Sequence, residues 1–166
     1  MPIRKLQNSG RAAILQSDEL ALPRYFTLLE AEALLPKVER LLQSLRDCKL
    51  AYETCDAELT QIAQRISLAG GTIPPRDRIV ELRARKDSSA RGLKATIEQF
   101  EALGCLLKDI ESGLCDFPTL YRGNEVYLCW KSGEAGISFW HRVEDGFRGR
   151  KPIDSEFLAN HRGEDS

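Results

Sequence analysis

The sequence lacks several features that would assign it to a familiar class. It has no apolar run of the about 18 residues that a membrane-spanning helix needs. It has no internal repeat and no glycine-rich phosphate loop, and its composition excludes collagen-like and low-complexity chains. A net charge of −1 gives no overall attraction to nucleic acids or acidic membranes. What remains is a soluble domain of the intracellular type.

The five cysteines form no C-x-x-C pair, which leaves no zinc ribbon and no thioredoxin motif. Cys48 and Cys55 are seven residues apart and therefore share one helix face. We interpret the cysteines as free, buried thiols in a reducing compartment, which predicts a cytoplasmic protein.

The length of 166 residues fits one domain, with 42% apolar and 30% charged residues. Residues 1–23 carry Arg4, Lys5 and Arg11 but no apolar stretch of a signal peptide, so a disordered N-terminal extension is expected. Residues 25–153 are expected to form a single domain and residues 154–166 a flexible tail.

Thr27 and Glu30 have the spacing of a capping box, which predicts a short helix that ends at Leu35. Pro36 breaks or kinks the helix there, or begins the next one. Ten positions then repeat every 3.5 residues and predict a helix about 50 Å long. This seam consists of Val38, Leu41, Leu45, Cys48, Tyr52, Cys55, Leu59, Ile62, Ile66 and Ala69.

Gly70 and Gly71 end that helix, and a second helix is predicted over residues 77–103. The connection between the two helices is short, which predicts an antiparallel hairpin. The apolar stripe expected on the second helix is Ile79, Leu82, Lys86, Ala90, Leu93, Ile97 and Phe100.

After Gly104 the pattern changes to that of strands, which are predicted at 105–110, 125–131 and 137–143. Turns are predicted at 116–118 and 122–124. The strands are apolar on both faces, so both faces should be covered: one by the helical hairpin, the other by the chain's own ends or by a second subunit. The fold class is therefore α+β, with a short helix, a long antiparallel helical hairpin and a small three-stranded antiparallel sheet.

Several segments together resemble a bacterial and archaeal family, the domain of unknown function 2203. The resemblance covers residues 25–153. It rests on YFTLxEAxALLP (25–36), LKDI (107–110), GLCDFP (113–118), VYLCW (126–130), GExxIxFWH (133–141) and GFxGR (146–150). It implies a small soluble α+β domain and assigns no reaction.

One candidate site comprises His141, Glu134, Asp109 and Asp116, with Asp145 nearby. One imidazole and several carboxylates suit a divalent metal with an open position for water, or an acid–base pair. The spacing matches no known metal motif. Asp116 also suits a turn, and His141 also suits a hydrogen-bonded core position.

Trp130, Trp140 and Arg142 are residue types that anchor interfaces, and they form a candidate interaction platform; packing within the domain is the alternative. Arg150, in the segment GFRGRK, is a candidate anion-binding residue, with a plain turn as the alternative.

The second helix carries a basic run that could follow RNA phosphates. Acidic residues are interleaved with it, and no aromatic residue is present for base stacking, so the pattern argues against a nucleic-acid partner. The run consists of Arg76, Arg78, Arg83, Arg85, Lys86, Arg91 and Lys94.

Three functions follow from these patterns. The first is a non-enzymatic, self-associating interaction module that forms a homodimer, because two lone helices cover only one seam each. The second is a metal-dependent or acid–base enzyme centred on His141, which leaves enzyme activity and a divalent metal cofactor open. The third is RNA binding along the second helix.

Overall fold

The computed structural model describes residues 24–70, 73 and 75–163. The predicted extension at residues 1–23 lies outside the described residues. The elements are α1 (Leu28–Ala69), α2 (Arg76–Leu103), β1 (Leu106–Asp109), β2 (Leu114–Tyr121), β3 (Asn124–Lys131), β4 (Phe139–Arg142), β5 (Lys151–Pro152), α3 (Ser155–Asn160) and β6 (His161–Arg162). In the part of the chain that is described, neither long helix contains an apolar stretch suited to crossing a bilayer.

The start of α1 confirms the predicted capping box. The Thr27 hydroxyl accepts from the amide of Glu30, and the Glu30 carboxylate accepts from the amide of Thr27 at 2.8 Å. The prediction of a separate short helix that ends at Leu35 is wrong, because α1 runs without a break through Pro36. Pro36 lies on the exposed side, between the buried Leu35 and Val38. Packing of these neighbours holds the helix together despite an interior proline cost of about 3 kcal/mol.

The two long helices pack as the predicted hairpin. Gly70 ends α1 in the left-handed conformation, with φ of 43°. Along the predicted seam of α1, four positions are buried and five are half-buried, but the last, Ala69, is exposed. The buried ones are Val38, Leu41, Leu45 and Cys55.

The inward face of α2 differs from the predicted stripe near its end. Leu82, Thr96, Phe100 and Leu103 are buried, whereas Ile97 is 41% exposed. Thr96 tolerates this position because its hydroxyl donates to the carbonyl of Gly92 at 2.8 Å. The apolar pattern alone points to Ile97 because it does not anticipate a hydroxyl satisfied within its own helix.

The antiparallel sheet has six strands rather than three. The strand order is β1-β2-β3-β4-β5, and β6 pairs with the far end of β2. The predicted strands correspond to β1, β3 and β4, and the turn at residues 122–124 joins β2 to β3.

The turn predicted at residues 116–118 is wrong, because these residues lie inside β2, at the centre of the sheet. Pro118 fits a central strand because no strand pairs with it on one side. On that side, β1 pairs with β2 only up to Asp116, and β6 pairs with β2 only from Leu120 onwards. In the gap between β1 and β6, the amide of Phe26 donates to the Pro118 carbonyl at 2.7 Å. The missing proline donor therefore breaks no strand pairing.

The chain end also differs from prediction. Residues 155–162 of the expected flexible tail form α3 and β6, and the Phe157 side chain is 1% exposed. Asp154 caps α3 by accepting from the amide of Phe157 at 2.8 Å. Phe157 and the pairing of β6 with β2 hold the segment in place, and its short polar sequence gives little sign of this.

The sheet has two faces, as cross-strand pairing and alternation require. The core face packs against the helices and α3 through Cys115, Phe117, Val126, Leu128, Trp130 and Trp140. The second face carries Asp116, Tyr127, Cys129, Phe139 and His141. Most of these side chains are buried, which confirms that both faces are covered.

Candidate functional site

Three buried side chains with reactive atoms meet on the second face: Asp116 of β2, Cys129 of β3 and His141 of β4. Asp116 lies directly opposite Cys129, and His141 lies one diagonal step away, because Phe139 is the partner of Cys129. The three ligand atoms lie within 4.8 Å of one another. His141 Nε2 is 3.3 Å from Asp116 Oδ2, and both side chains are 3% exposed. We call these three residues the central cluster.

The hydrogen bonds of His141 fix where its protons lie. Nδ1 is 2.7 Å from the carbonyl oxygen of Arg142, which can only accept, so Nδ1 carries a proton. A neutral imidazole then has no proton on Nε2, the atom that faces Asp116. In the neutral imidazole, two acceptor atoms thus face each other across 3.3 Å.

The surroundings of Cys129 favour its protonated thiol. Burial, reinforced by the negative charge of Asp116 and a hydrogen bond to it, raises the pKa of the Cys129 thiol to about 12. The second carboxylate oxygen, Asp116 Oδ1, is buried and accepts no hydrogen bond from any described residue. A buried oxygen without a donor is costly, by about 1–3 kcal/mol. The cluster thus has an acceptor that the described residues leave unsatisfied.

Glu134 and Asp109 do not join the central cluster by any direct contact. Both carboxylate oxygens of Glu134 accept from Nη2 of Arg150, at 2.8 and 2.9 Å, and Oε2 also accepts from the amide of Lys131. Asp109 is exposed and accepts from the amide of Ser112 at 2.7 Å, closing the turn after β1. The structure therefore brings together two of the four predicted residues, His141 and Asp116.

The candidate anion-binding residue, Arg150, is already engaged. Besides Glu134, its Nη2 donates to the carbonyl of Cys129 at 3.2 Å. Its guanidinium group lies over the rings of Phe139 and Phe147, at 4.3 and 4.8 Å from their centroids. Arg150 thus covers the second face beside Cys129 and holds the segment after β4 against it.

The two tryptophans of the predicted platform belong to the core. Trp130 is fully buried and donates from Nε1 to the carbonyl of Glu134 at 3.1 Å. Trp140 is 8% exposed and stacks on Phe157, with ring centroids 4.8 Å apart. Arg142 is exposed, and the cation over the Trp140 ring is Lys151, at 5.1 Å. The geometry therefore favours the alternative, packing within the domain.

Cys129 is the residue that reasoning from the sequence missed. Between apolar neighbours it reads as a small core residue, the ordinary state of a free cysteine. The alternation of the strand nevertheless places it with Tyr127, on the face opposite Leu128 and Trp130. Pairing Asp116 with the same strand would have identified it, but a predicted turn at 116–118 prevented that pairing.

Comparison with known proteins gives one match. No curated protein and no solved structure matches the chain. The family model described as "Uncharacterized conserved protein (DUF2203)" matches residues 24–153, which confirms the resemblance predicted from the motifs. The matched region contains both long helices, β1–β5 and the whole central cluster. On this match, the chain belongs to the domain of unknown function 2203 family.

Proposed function

We propose that the protein is a self-associating module whose partner is a second copy of this chain. The supporting observation is the distal part of the hairpin, defined as residues 48–69 of α1 with the facing part of α2. The main core uses α1 only up to Leu45 and α2 only from Phe100, with Leu93 at its margin. In the distal part, only Cys55 and Leu82 are fully buried apolar residues.

The distal part leaves apolar side chains incompletely covered. Leu59, Ile62 and Ile66 are half-buried along the seam, Leu68 on the opposite side of α1 is 88% exposed, and Val80 of α2 is 66% exposed. An open groove of about 500 Å³ runs along α1 beside Ile62. It is lined by Thr54, Ala57, Glu58, Gln61, Ile62 and Arg65. The same two helices of a second copy would cover these side chains, and the four helices together would form a four-helix bundle.

The dimensions of the distal part fit a dimer. At 1.5 Å per residue it is about 33 Å long, and two adjacent helices are about 20 Å wide. The footprint is then about 600–700 Å² per copy, so two copies bury about 1,200–1,400 Å², within the range of specific interfaces. The lining contains both an acid, Glu58, and a base, Arg65, so a two-fold arrangement that sets Glu58 of one copy against Arg65 of the other avoids like-charge contacts.

The basic run does not gain support as an RNA-binding surface. Arg78 donates to both carboxylate oxygens of Glu58 at 2.7 Å, and Lys86 donates to Asp56 at 2.6 Å. These pairs join the two helices, which is the structural use of such charges. RNA binding stays a prediction that the geometry does not favour.

Light scattering coupled to gel filtration tests self-association at low micromolar concentration. We expect a mass of about twice 18.7 kDa for the wild type. Ile62→Glu places a charge at the half-buried apolar position of the groove and should return the protein to a monomer. The matched control is Leu29→Glu, a leucine at the start of the same helix that is 79% exposed and lies outside the distal part.

Helicity measured by circular dichroism separates loss of association from loss of folding. A wild-type protein that is monomeric at low micromolar concentration would contradict the proposal. So would a dimer that survives Ile62→Glu.

A further inference from the structure

The central cluster has the dimensions of a metal site. In a tetrahedral site with bonds of about 2.0 Å to nitrogen and oxygen, the two ligand atoms are about 3.3 Å apart. That is the distance between His141 Nε2 and Asp116 Oδ2. The Cys129 sulfur, one imidazole nitrogen of His141 and one carboxylate oxygen of Asp116 all lie within 4.8 Å of one another.

Two features around the cluster belong to a metal site rather than to ordinary packing. Asp116 Oδ1 is buried with no hydrogen-bond donor among the described residues, so the carboxylate as a whole has unused acceptor capacity. His141 points Nε2 inward while Nδ1–H donates to the Arg142 carbonyl. This outer hydrogen bond fixes the tautomer and ring orientation that a metal-binding histidine needs.

We infer that Asp116, Cys129 and His141 bind one divalent transition-metal ion, and that Zn²⁺ is the ion whose chemistry fits them. One sulfur, one nitrogen and one oxygen ligand suit Zn²⁺, whereas Mg²⁺ and Ca²⁺ take oxygen ligands. On binding, the Cys129 thiol releases its proton to solvent, and the ion takes the position between His141 Nε2 and Asp116 Oδ2.

Charge balance explains why so buried a cluster accepts the ion. A thiolate and a carboxylate each contribute one negative charge, and the imidazole contributes none, so the site with its divalent ion is neutral. A neutral assembly avoids the large cost of an uncompensated charge in the interior. Three protein ligands leave one position of a tetrahedral zinc ion to a non-protein ligand such as water.

This metal site goes beyond self-association and is independent of it, because all three ligands lie in the sheet and none in the distal hairpin. It also revises the ligand set expected from the sequence: Cys129 enters, while Glu134 and Asp109 leave. The sequence left two alternatives at His141, a metal site or an acid–base pair. The inferred ligand set is a specific form of the first.

Cobalt absorption tests the site without any assumption about activity. The full chain is refolded under reducing conditions with increasing Co²⁺, because a buried cluster is loaded most readily during folding. We expect one Co²⁺ per chain, a thiolate-to-cobalt charge-transfer band and the visible bands of tetrahedral cobalt. Zn²⁺ should displace Co²⁺ and abolish the bands.

Cys129→Ser should remove the charge-transfer band and weaken Zn²⁺ binding by more than about 100-fold, since changes to outer-shell partners alone cost about 10–100-fold. The matched control is Cys115→Ser, a buried thiol on the core face of the neighbouring strand, which should keep the band. Asp116→Asn keeps the thiolate, so it should keep the band but bind more weakly. Circular dichroism confirms that each variant folds.

The wild type decides the test even if a variant fails to fold. No thiolate band at stoichiometric Co²⁺ would overturn the metal site. A band that is unchanged in Cys129→Ser, or lost in Cys115→Ser, would overturn the ligand assignment. The oligomeric mass is read separately, so failure of the metal site and failure of self-association are distinguishable.

Discussion

At the residue scale, the contact between Glu134 and Arg150 ties the turn after β3 to the segment after β4. Burial alone would raise the pKa of the Glu134 carboxyl. The hydrogen bonds from Arg150 and the Lys131 amide outweigh burial and hold that pKa below its usual 4.5. A carboxyl whose pKa is lowered by folding stabilises the folded state above its unfolded pKa, and this contribution is lost as the pH falls through the folded value.

Glu134→Gln should therefore lower the free energy of unfolding near neutral pH, by about 1–2 kcal/mol for a partly exposed charged hydrogen bond. The difference from wild type should stay constant above about pH 5 and shrink at lower pH, where the wild-type carboxylate becomes protonated. Urea unfolding at several pH values measures it. Glu144→Gln, at an exposed position, should show neither effect. A difference independent of pH would contradict the assigned cause.

The same scale shows how far the sequence predicts the site. His141 and Asp116 were selected for their chemistry alone, and the structure places them in contact. Glu134 was selected on the same basis, but its partner Arg150 comes from a different segment, and nothing in the local pattern shows that they pair. Cys129 was not selected, because membership of the cluster depends on strand register, a property of two segments rather than one.

At the element scale, periodicity predicts the hairpin well because each helix carries its own pattern. Ten positions spaced by 3.5 residues suffice to predict the long part of α1. The strand β2 is harder to predict because its proline is acceptable only where Phe26 fills the gap between β1 and β6. Phe26 is about ninety residues from Pro118 along the chain, so no local sequence pattern can show that the two residues meet.

The close approach of the two long helices can be tested where Gly92 faces Cys48. A β-carbon added at Gly92 would lie 2.7 Å from the Cys48 sulfur. Gly92→Ala should raise the free energy of unfolding by about 1 kcal/mol through better helix propensity. The clash with the Cys48 sulfur should cancel this gain. With Cys48→Ala the sulfur is gone, so the same substitution should become stabilising.

A thermodynamic cycle of the two substitutions measures this contact by urea unfolding. We expect a coupling of about 1–2 kcal/mol, within the range found for touching residues. The control cycle uses Cys55→Ala in place of Cys48→Ala. Cys55 lies on the same face of α1 but two helix turns further along, and a β-carbon at Gly92 would not meet it. That control should be additive within about 0.5 kcal/mol. Additivity in the cycle with Cys48 would contradict the close approach.

At the scale of the whole molecule, the two ends of the described chain close the fold together. The Leu28 amide, at the start of α1, donates to Nε2 of His161 at 3.1 Å. Thr119, in the middle of β2, donates from its hydroxyl to the carbonyl of Arg162 at 3.0 Å. A β-carbon on Gly163 would lie 2.7 Å from the amide nitrogen of Thr27, so only glycine fits this approach. The C-terminal segment therefore acts as a clamp on the start of α1 and on β2.

Phe157 is the anchor of that clamp, and its removal should affect the whole molecule. Its ring stacks on Trp140, Tyr121 and His161, with centroids 4.8, 5.1 and 5.3 Å away. Phe157→Ala should lower the free energy of unfolding by about 3–5 kcal/mol, the usual cost of removing a buried aromatic ring. Leu158→Ala, next in sequence but 49% exposed, should cost no more than about 0.5 kcal/mol.

Urea unfolding followed by both tryptophan fluorescence and circular dichroism shows whether the C-terminal segment unfolds together with the rest of the molecule or independently of it. Trp140 reports on the core face, and circular dichroism reports mainly on α1 and α2. If the clamp belongs to the cooperative unit, Phe157→Ala shifts both transitions to lower urea by the same amount. A shift confined to fluorescence would mean that the segment opens by itself, and the helices would then owe their stability to the hairpin alone.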